Sequence, residues 1–125
     1  KRDPKLTVLL FNEMINCRNI EGLSQLMHKN YVFIDSTGHR EEGKGKMVEG
    51  WQRFFELYPD YVNHFEIIRS SGNQVAVLGY STCSLPALNG PAIWLATVEC
   101  DLLKLWQIFD DTQKQREECG LNIYL

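Results

Sequence analysis

Asp35 and His39 form the first pair of side chains in the sequence whose types and spacing could do acid–base chemistry. Asp35 ends an apolar run, and His39 follows in the same polar segment. A carboxylate at the rim of an apolar pocket is desolvated, which raises its pKa and makes it a stronger base near neutral pH. His39 could shuttle a proton or donate a hydrogen bond to a substrate carbonyl.

Each of these two residues also has a structural interpretation. An Asp followed by Ser-Thr-Gly favours a turn, because its side chain accepts hydrogen bonds from the backbone that follows. The neighbours of His39 are Arg40, Glu41 and Glu42, and charged surroundings favour an exposed loop. The sequence leaves both interpretations of Asp35 open.

A second acid–base pair, His64 and Glu66, depends on the face of the strand that it occupies. Side chains alternate faces along a strand, and the apolar Phe65 and Ile67 predict that their face, shared with Asn63, is turned to the pocket. His64 and Glu66 are then expected on the outer face, at a contact between two subunits. A register shifted by one residue would instead bring His64 and Glu66 into the pocket as a catalytic pair.

Aromatic side chains supply the predicted walls of the pocket. Large aromatic residues at helical spacing are usually core, and in a domain with a cavity part of that core lines it. The residues expected to contact a ligand are Tyr31, Phe33, Trp51, Phe54, Phe55, Phe65 and Trp94.

Three helices and five strands are predicted to position these side chains. The helices are expected at 6–17, 20–27 and 46–57, and the strands at 31–35, 62–69, 74–83, 92–100 and 103–109. A loop is expected at 41–46, and a last helical turn or a tail at 110–119. The predicted apolar stripe of the first helix, widened by Phe11 and Ile15, consists of Leu6, Leu9, Leu10, Met14 and Cys17.

The order of these elements predicts an α+β fold. Consecutive strands joined by short turns pair antiparallel, and helices gathered on one face of a curved sheet fill its concave side only in part. The central residues of strand 74–83 are apolar on both faces. This pattern indicates that helices cover one face and a second copy of the chain covers the other. We therefore expect one domain, residues 1–125, with an apolar pocket.

In this order of elements the chain resembles the nuclear transport factor 2-like superfamily, and especially its SnoaL-like branch. The resemblance covers nearly all of the chain and is carried by Tyr31-Val32-Phe33-Ile34-Asp35, Trp51-Gln52-Arg53-Phe54-Phe55, Tyr58-Pro59-Asp60 and Leu105-Trp106-Gln107-Ile108-Phe109-Asp110-Asp111. The chain departs from the family before the last strand, where segment 101–105 has no glycine although family members often carry one. A turn of another type or length is expected there.

The resemblance implies a cone-shaped, cystatin-like fold, in which a mostly antiparallel sheet wraps around N-terminal helices, and homodimers paired through the outer face of the sheet. It also places Asp35 where ketosteroid isomerases of this superfamily carry their general base. Tyr80 is a candidate donor to an oxyanion, as tyrosines are in those isomerases, and an interface position is its alternative. Relatives include isomerases, polyketide cyclases, dehydratases, epoxide hydrolases and non-catalytic proteins, so the resemblance does not define a reaction.

Composition and charge narrow the classes of partner. The net charge is −3 and the basic residues form no run, whereas nucleic-acid binding needs a clustered basic surface. No apolar run approaches the ~20 residues that span a membrane, and the first residues lack the core of a signal peptide, so a cytoplasmic location is expected. The four cysteines are expected to be buried, reduced thiols. No local spacing of His or Cys indicates a metal or a cofactor.

Two functional hypotheses follow from the sequence. In the first, the domain is a cofactor-free isomerase, cyclase, dehydratase or hydrolase acting on an apolar, carbonyl-bearing compound, with Asp35 as the base and Tyr80 or His39 polarising the substrate. In the second, the domain binds a ligand or a protein without catalysis, which the small number of polar candidates supports. The first hypothesis predicts that Asp35→Asn loses turnover but little affinity.

Overall fold

The computed structural model describes residues 1–122, and residues 123–125 of the predicted domain lie outside the described part of the chain. The helices are α1 (Pro4–Asn16), α2 (Ile20–Leu26), α3 (Lys44–Leu57) and α4 (Gln113–Glu118), with one 3-10 turn at Pro86–Leu88. The strands are β1 (Met27–Ile34), β2 (Arg40–Glu42), β3 (Val62–Ser71), β4 (Gln74–Thr82), β5 (Gly90–Glu99) and β6 (Leu102–Asp110). None of the helices within this part of the chain combines the length and apolarity needed to cross a membrane.

The six strands form one curved, unclosed sheet in the order β2-β1-β6-β5-β4-β3. Every neighbouring pair is antiparallel except β1 and β6, which are parallel. The predicted α+β class, with a mostly antiparallel sheet around N-terminal helices, is therefore confirmed. Strand β2 was not expected, since 41–46 was predicted to be a loop. It has only three residues, all charged, so it carries no apolar alternation.

Helix α1 forms where it was predicted, and Phe11 and Ile15 are buried as expected, but the prediction for the leucines was wrong in part. Leu6 and Leu9 are 47% and 43% exposed. The other buried residues are Thr7, Val8 and Asn12. Two polar side chains can occupy the buried face because each has a partner: Arg2 Nε donates to Thr7 Oγ1 at 3.0 Å, and Asn12 bonds to Asn63. Leu10 and Met14 of the predicted stripe stay partly buried against the inner core.

A β-bulge at Glu66 changes the facing of β3 halfway along the strand. Phe65 pairs with Gly79, and the next pair is Ile67 with Leu78. The predicted inward facing holds for Asn63 and Phe65, but it was wrong for Ile67, which packs in the outer cluster while Ile68 joins the inner core. An inserted residue reverses every later side chain of a strand, because the side-chain period is two.

Two apolar layers lie on the two faces of the sheet. The inner layer contains the buried faces of α1, α2 and α3 with Trp94, Trp106 and their neighbours. The outer layer is smaller and is formed by Ala76, Leu78 and Ile93. Leu121, beyond α4, is fully buried against this outer cluster. The chain's own C-terminal segment therefore covers part of the face that was expected to meet only a second copy.

Strands β5 and β6 are joined by a turn of two residues without glycine. Glu99 pairs with Leu102, and the two residues between them, Cys100 and Asp101, have φ values of 53° and 61°. Positive φ at both central positions defines a type I′ hairpin turn, which usually contains Asn or Gly. Arg2 supports this turn, since its backbone N–H donates to Asp101 Oδ1 at 3.0 Å and its guanidinium donates to the Asp101 carbonyl.

Candidate functional site

A cavity of about 480 Å³ lies between α3 and the inner face of the sheet. Its wall is mostly apolar and aromatic. Residues 87–91, from the 3-10 turn to the start of β5, line one side. The apolar residues contributed by helix and sheet are Phe33, Met47, Trp51, Phe54, Ala92, Trp94 and Ile108. The charged lining residues are exposed or half-exposed and form its rim: Asp35, Glu41, Lys46, Arg53 and Asp110.

Four of the seven aromatic residues expected to contact a ligand line this cavity, namely Phe33, Trp51, Phe54 and Trp94. The other three lie behind the wall. Tyr31 is completely buried, and burial raises the pKa of its hydroxyl far above the ordinary value. Phe55 packs on Trp51 with ring centroids 5.5 Å apart, and Phe65 packs on Trp94 at 5.1 Å. These three side chains support the wall without lining it.

Asp35 lines the cavity, as predicted, but its carboxylate is engaged in a turn. Its Oδ1 accepts hydrogen bonds from the Thr37 hydroxyl at 2.6 Å, the Thr37 amide at 2.9 Å and the His39 amide at 3.0 Å. These bonds, the Thr37 hydroxyl first, hold the pKa of Asp35 below its usual value. The expected rise in pKa was therefore wrong, because little of the carboxylate is desolvated and the bonds stabilise its charged form.

The structure does not bring His39 and Tyr80 to the cavity. The His39 side chain is 63% exposed and bonds to Glu41 Oε1 at 2.8 Å. Tyr80 lies on the outer face of β4, because the inward positions of this strand are Val75, Val77, Gly79 and Ser81.

Tyr80 and His64 form a pair on the outer face. Their rings stack with centroids 4.5 Å apart and an interplanar angle of 12°. The His64 ring also bonds through Nε2 to Thr82 Oγ1 at 3.1 Å. Glu66 is the exposed bulge residue. Neither His64 nor Glu66 lines the cavity, so the pocket has no His64–Glu66 pair.

Tyr61 and Ser81 line the cavity and were not among the predicted site residues. Both are buried, and Tyr61 Oη lies 3.2 Å from Ser81 Oγ. Burial raises the pKa of Tyr61, although the hydrogen bond to Ser81 opposes this. The sequence contained a usable signal, since strand alternation turns Asn63 and Ser81 inward and the two are direct cross-strand partners.

Two of the rim charges, those of Lys46 and Glu41, form an ion pair. Lys46 Nζ lies 2.6 Å from Glu41 Oε2, and this bond is the main reason that the pKa of Glu41 is low. Arg53 and Asp110 also reach the rim. Both signs of charge are therefore present at the opening, while the buried end of the cavity holds only hydroxyl groups and apolar surface.

A model of the SnoaL-like domain family matches residues 8–105 of the chain. No curated protein matches this chain. Among solved structures, a nuclear transport factor 2-like protein of unknown function from Cytophaga hutchinsonii is similar, with a TM-score of 0.74 and 15% identity, over 92% of this chain and 96% of that one.

Two further similar structures carry the names of enzymes. A putative SnoaL-like polyketide cyclase from Shewanella putrefaciens aligns with a TM-score of 0.76 and 11% identity, over 98% of this chain and 88% of that one. An epoxide hydrolase from M. tuberculosis aligns with a TM-score of 0.77 and 12% identity, over 94% of this chain and 89% of that one. At such identities the likeness establishes the fold.

Proposed function

Because this chain belongs to the SnoaL-like family, whose fold is shared by proteins named for different reactions, we propose a function from its cavity. The domain binds an apolar small molecule and holds it between Trp51 of α3 and Trp94 of β5. The supporting observation is the distribution of polar groups: the buried wall is aromatic, and the charges lie at the rim.

The dimensions of the cavity suit this function. Ligand sites of about 300–1,000 Å³ with apolar walls and a few placed polar groups are typical of small-molecule binding, and this one measures about 480 Å³. The lowered pKa of Asp35 and Glu41 makes both carboxylates weak bases. Binding without catalysis is therefore favoured over general-base catalysis at this rim.

Two glycines of α3 provide a matched test of the site. Gly50 lines the cavity, and a Cβ there would approach only Met47 Cε, at 3.9 Å. A Cβ on Gly45 would have no neighbour within 4 Å, and Gly45 lies outside the cavity. Gly50→Leu is expected to weaken the binding of tetralin, a ten-carbon apolar probe, by about tenfold or more, because leucine fills the volume that the probe occupies. Gly45→Leu leaves the affinity unchanged.

The affinity is measured by NMR chemical-shift titration of the labelled protein. Loss of binding in Gly50→Leu alone supports the proposed site. Equal binding by both variants would place the ligand elsewhere, and no binding of tetralin by the unsubstituted protein would contradict the proposed function.

A second candidate function is cofactor-free acid–base catalysis by Asp35. One oxygen of its carboxylate takes all three hydrogen bonds, and Oδ2 has no partner among the described residues. Oδ2 would remove a proton from the carbon beside a bound ketone, giving the enolate, and return it to the same carbon. Such an enzyme would exchange the α-hydrogens of 1-tetralone with solvent deuterium. Asp35→Asn would slow this exchange, whereas Asp110→Asn at the same rim would not.

The outer face of the sheet supports pairing with a second copy of the chain. Ile67, Leu95 and Phe109 pack there against the outer cluster and stay partly accessible. Tyr80 is 39% exposed on the same face. An apolar sheet face of this kind is the expected position of a homodimer contact.

A further inference from the structure

We infer that the buried end of the cavity recognises a ligand that donates a hydrogen bond, an alcohol, a phenol or an N–H group, because Tyr61 presents its oxygen there as an acceptor. The inference rests on the proposed binding function and adds the polarity of the ligand group. It follows from the order of donors and acceptors in a hydrogen-bonded chain that connects α1, β3 and β4 to the cavity.

The chain of hydrogen bonds begins at the backbone of Asn63, where the polarity is fixed by covalent structure. A carbonyl oxygen only accepts, so the two amide nitrogens near the Asn63 carbonyl, Asn16 Nδ2 at 2.9 Å and Asn12 Nδ2 at 3.4 Å, are donors. The Asn63 N–H donates to Asn16 Oδ1 at 2.9 Å, which agrees with this orientation of Asn16.

The orientation of Asn12 then fixes the orientation of the Asn63 side chain. With its Nδ2 on the backbone carbonyl, Asn12 turns Oδ1 to the Asn63 amide, and Asn63 Nδ2 donates to it at 3.2 Å. The other end of the Asn63 amide, Oδ1, faces Ser81 Oγ at 2.8 Å. An amide oxygen only accepts, so the Ser81 hydroxyl proton belongs to this bond.

Ser81 can then only accept from its second neighbour, Tyr61. The 3.2 Å contact between Tyr61 Oη and Ser81 Oγ requires one proton, and the single proton of Ser81 is already committed. The Tyr61 hydroxyl therefore donates to Ser81. What remains on Tyr61 Oη is acceptor capacity, so a ligand that meets this oxygen must bring the proton.

Other polar groups of the wall do not reverse this polarity. The indole N–H groups of Trp51 and Trp94 are buried and lack a partner within the described residues, so they lie beneath the cavity surface and are not accessible from it. The Asn89 amide is committed to the backbone N–H and carbonyl of Cys83. The cationic donors, Lys46 and Arg53, lie at the exposed rim. The buried end thus offers an acceptor.

Three probes of nearly equal size separate this inference from the proposed function. Tetralin has no polar group, 1-tetralone only accepts, and 1-tetralol both donates and accepts. The unsubstituted protein is expected to bind 1-tetralol about three- to tenfold more tightly than 1-tetralone, the range of one net hydrogen bond. Tetralin binding tests the cavity itself, and the ratio of alcohol to ketone affinity tests the polarity.

Substitution of Ser81 should change the preference. Ser81→Ala removes the acceptor for the Tyr61 proton, so Tyr61 becomes a donor to the ligand and the alcohol-to-ketone ratio falls to one or below. Tyr61→Phe, which leaves the bonds among Asn12, Asn63 and Ser81 in place, also brings the ratio close to one. Thr82→Ala, the neighbouring hydroxyl on the outer face of β4, keeps the ratio of the unsubstituted protein. Affinities are measured by NMR titration, with folding verified by thermal unfolding.

Each outcome has a defined meaning. A ketone bound as tightly as the alcohol by the unsubstituted protein, while tetralin binds, overturns the inferred polarity and leaves the proposed function standing. A ratio that stays unchanged in both Ser81→Ala and Tyr61→Phe also overturns it. Failure of all three probes to bind overturns the proposed function and the inference together.

Discussion

The Asp35 carboxylate accepts three hydrogen bonds through one oxygen, and these bonds order the segment between β1 and β2. The same bonds that order the segment lower the pKa of the carboxyl group. A carboxylate that is stabilised as an anion is a weaker base. At the scale of the single residue, the hydrogen bonds that order this segment therefore oppose a role of Asp35 as a general base.

Replacing Asp35 with alanine is expected to lower the free energy of unfolding by about 1–2 kcal/mol at pH 7, because up to three hydrogen bonds to an anion are lost. The folded pKa is lowered, so the charged carboxylate contributes stability above the unfolded pKa of Asp, and this contribution is lost as the pH falls through the folded value. The difference between the two proteins in urea unfolding should narrow from pH 5 to pH 3. A difference that widens over this range would contradict the assignment.

Asn63 is a buried polar residue that forms several hydrogen bonds. Its backbone and side chain bond to Asn12, Asn16 and Ser81. Asn63→Ala is expected to lower the free energy of unfolding by about 2–4 kcal/mol, because buried Asn12 Oδ1 loses its donor and the buried Ser81 hydroxyl loses its acceptor. Asn30→Ala, an exposed amide on β1, serves as the control and should cost little. Chemical denaturation measures both, and equal effects would show that the buried bonds contribute no net stability.

At the scale of the element, the bulge of β3 brings two backbones unusually close. A Cβ on Gly79 would lie 2.0 Å from the carbonyl oxygen of His64, a distance that real Cβ atoms do not reach. Only glycine fits at this point of β4. The bulge in β3 therefore depends on Gly79 in β4. Together they bend the edge strand and reverse the facing of Ile67 and Ile68.

Gly79→Ala is expected to destabilise the domain by about 3 kcal/mol or more, because the strand pair must separate to admit the methyl group. Gly45→Ala in α3 has open space around its Cβ and should be neutral or stabilise by up to about 1 kcal/mol, since alanine favours the helix. Thermal unfolding of the two variants measures the contrast. Equal melting temperatures would show that the backbones can move apart at little cost.

In the hairpin turn between β5 and β6, in contrast, a substitution is expected to raise the stability of the protein. Cys100 was expected to be buried, but it is exposed in the turn with φ 53°. Asn adopts this conformation more readily than Cys. Cys100→Asn is expected to stabilise the protein by about 0.5–1 kcal/mol, while Cys100→Ala gives no gain. The measurement is the midpoint of guanidinium unfolding under reducing conditions. A loss of stability in the Asn variant would contradict this and show that the Cys100 thiol makes a stabilising contact.

The elements also show which parts of the fold the sequence could predict. Helical spacing and β-branched runs gave the positions of α1 to α3 and of five strands, because these patterns are local. The face of α1, the existence of β2 and the facing of Ile67 depended on partners distant in the chain: Asn63 for Asn12, the edge of β1 for β2, and Gly79 for the bulge. The acceptor polarity of Tyr61 is equally non-local, because four side chains and one backbone carbonyl together determine it.

At the scale of the whole molecule, the sheet separates two apolar layers with different roles. The inner layer is thick and contains the cavity, whereas the outer layer is thin and is partly covered by Leu121. The proposed ligand site and the proposed subunit contact therefore lie on opposite faces of the same strands. Ligand binding and self-association can be altered by separate substitutions.

The protein is expected to sediment as a dimer, and Leu95→Lys on the outer face should convert it to a monomer, because a desolvated lysine without a partner disfavours the contact. Leu57→Lys is the matched control, since Leu57 is 68% exposed at the end of α3, away from the outer face. Sedimentation equilibrium measures the mass of each protein. A monomeric unsubstituted protein, or a dimer that persists in Leu95→Lys, would contradict pairing through this face.

The Asn16 side chain that seals the backbone of Asn63 has a further consequence, for solubility. Strand β3 is at one edge of the sheet, where free N–H and C=O groups invite an unrelated strand to extend the sheet and begin aggregation. The backbone N–H and C=O of Asn63 already form hydrogen bonds to the Asn16 side chain of α1. These bonds take the place of those that an added strand would make. Glu66 interrupts the same edge with a charged bulge, and at the opposite edge β2 has only three residues, all charged. Both borders of the sheet therefore carry features that disfavour the addition of another strand.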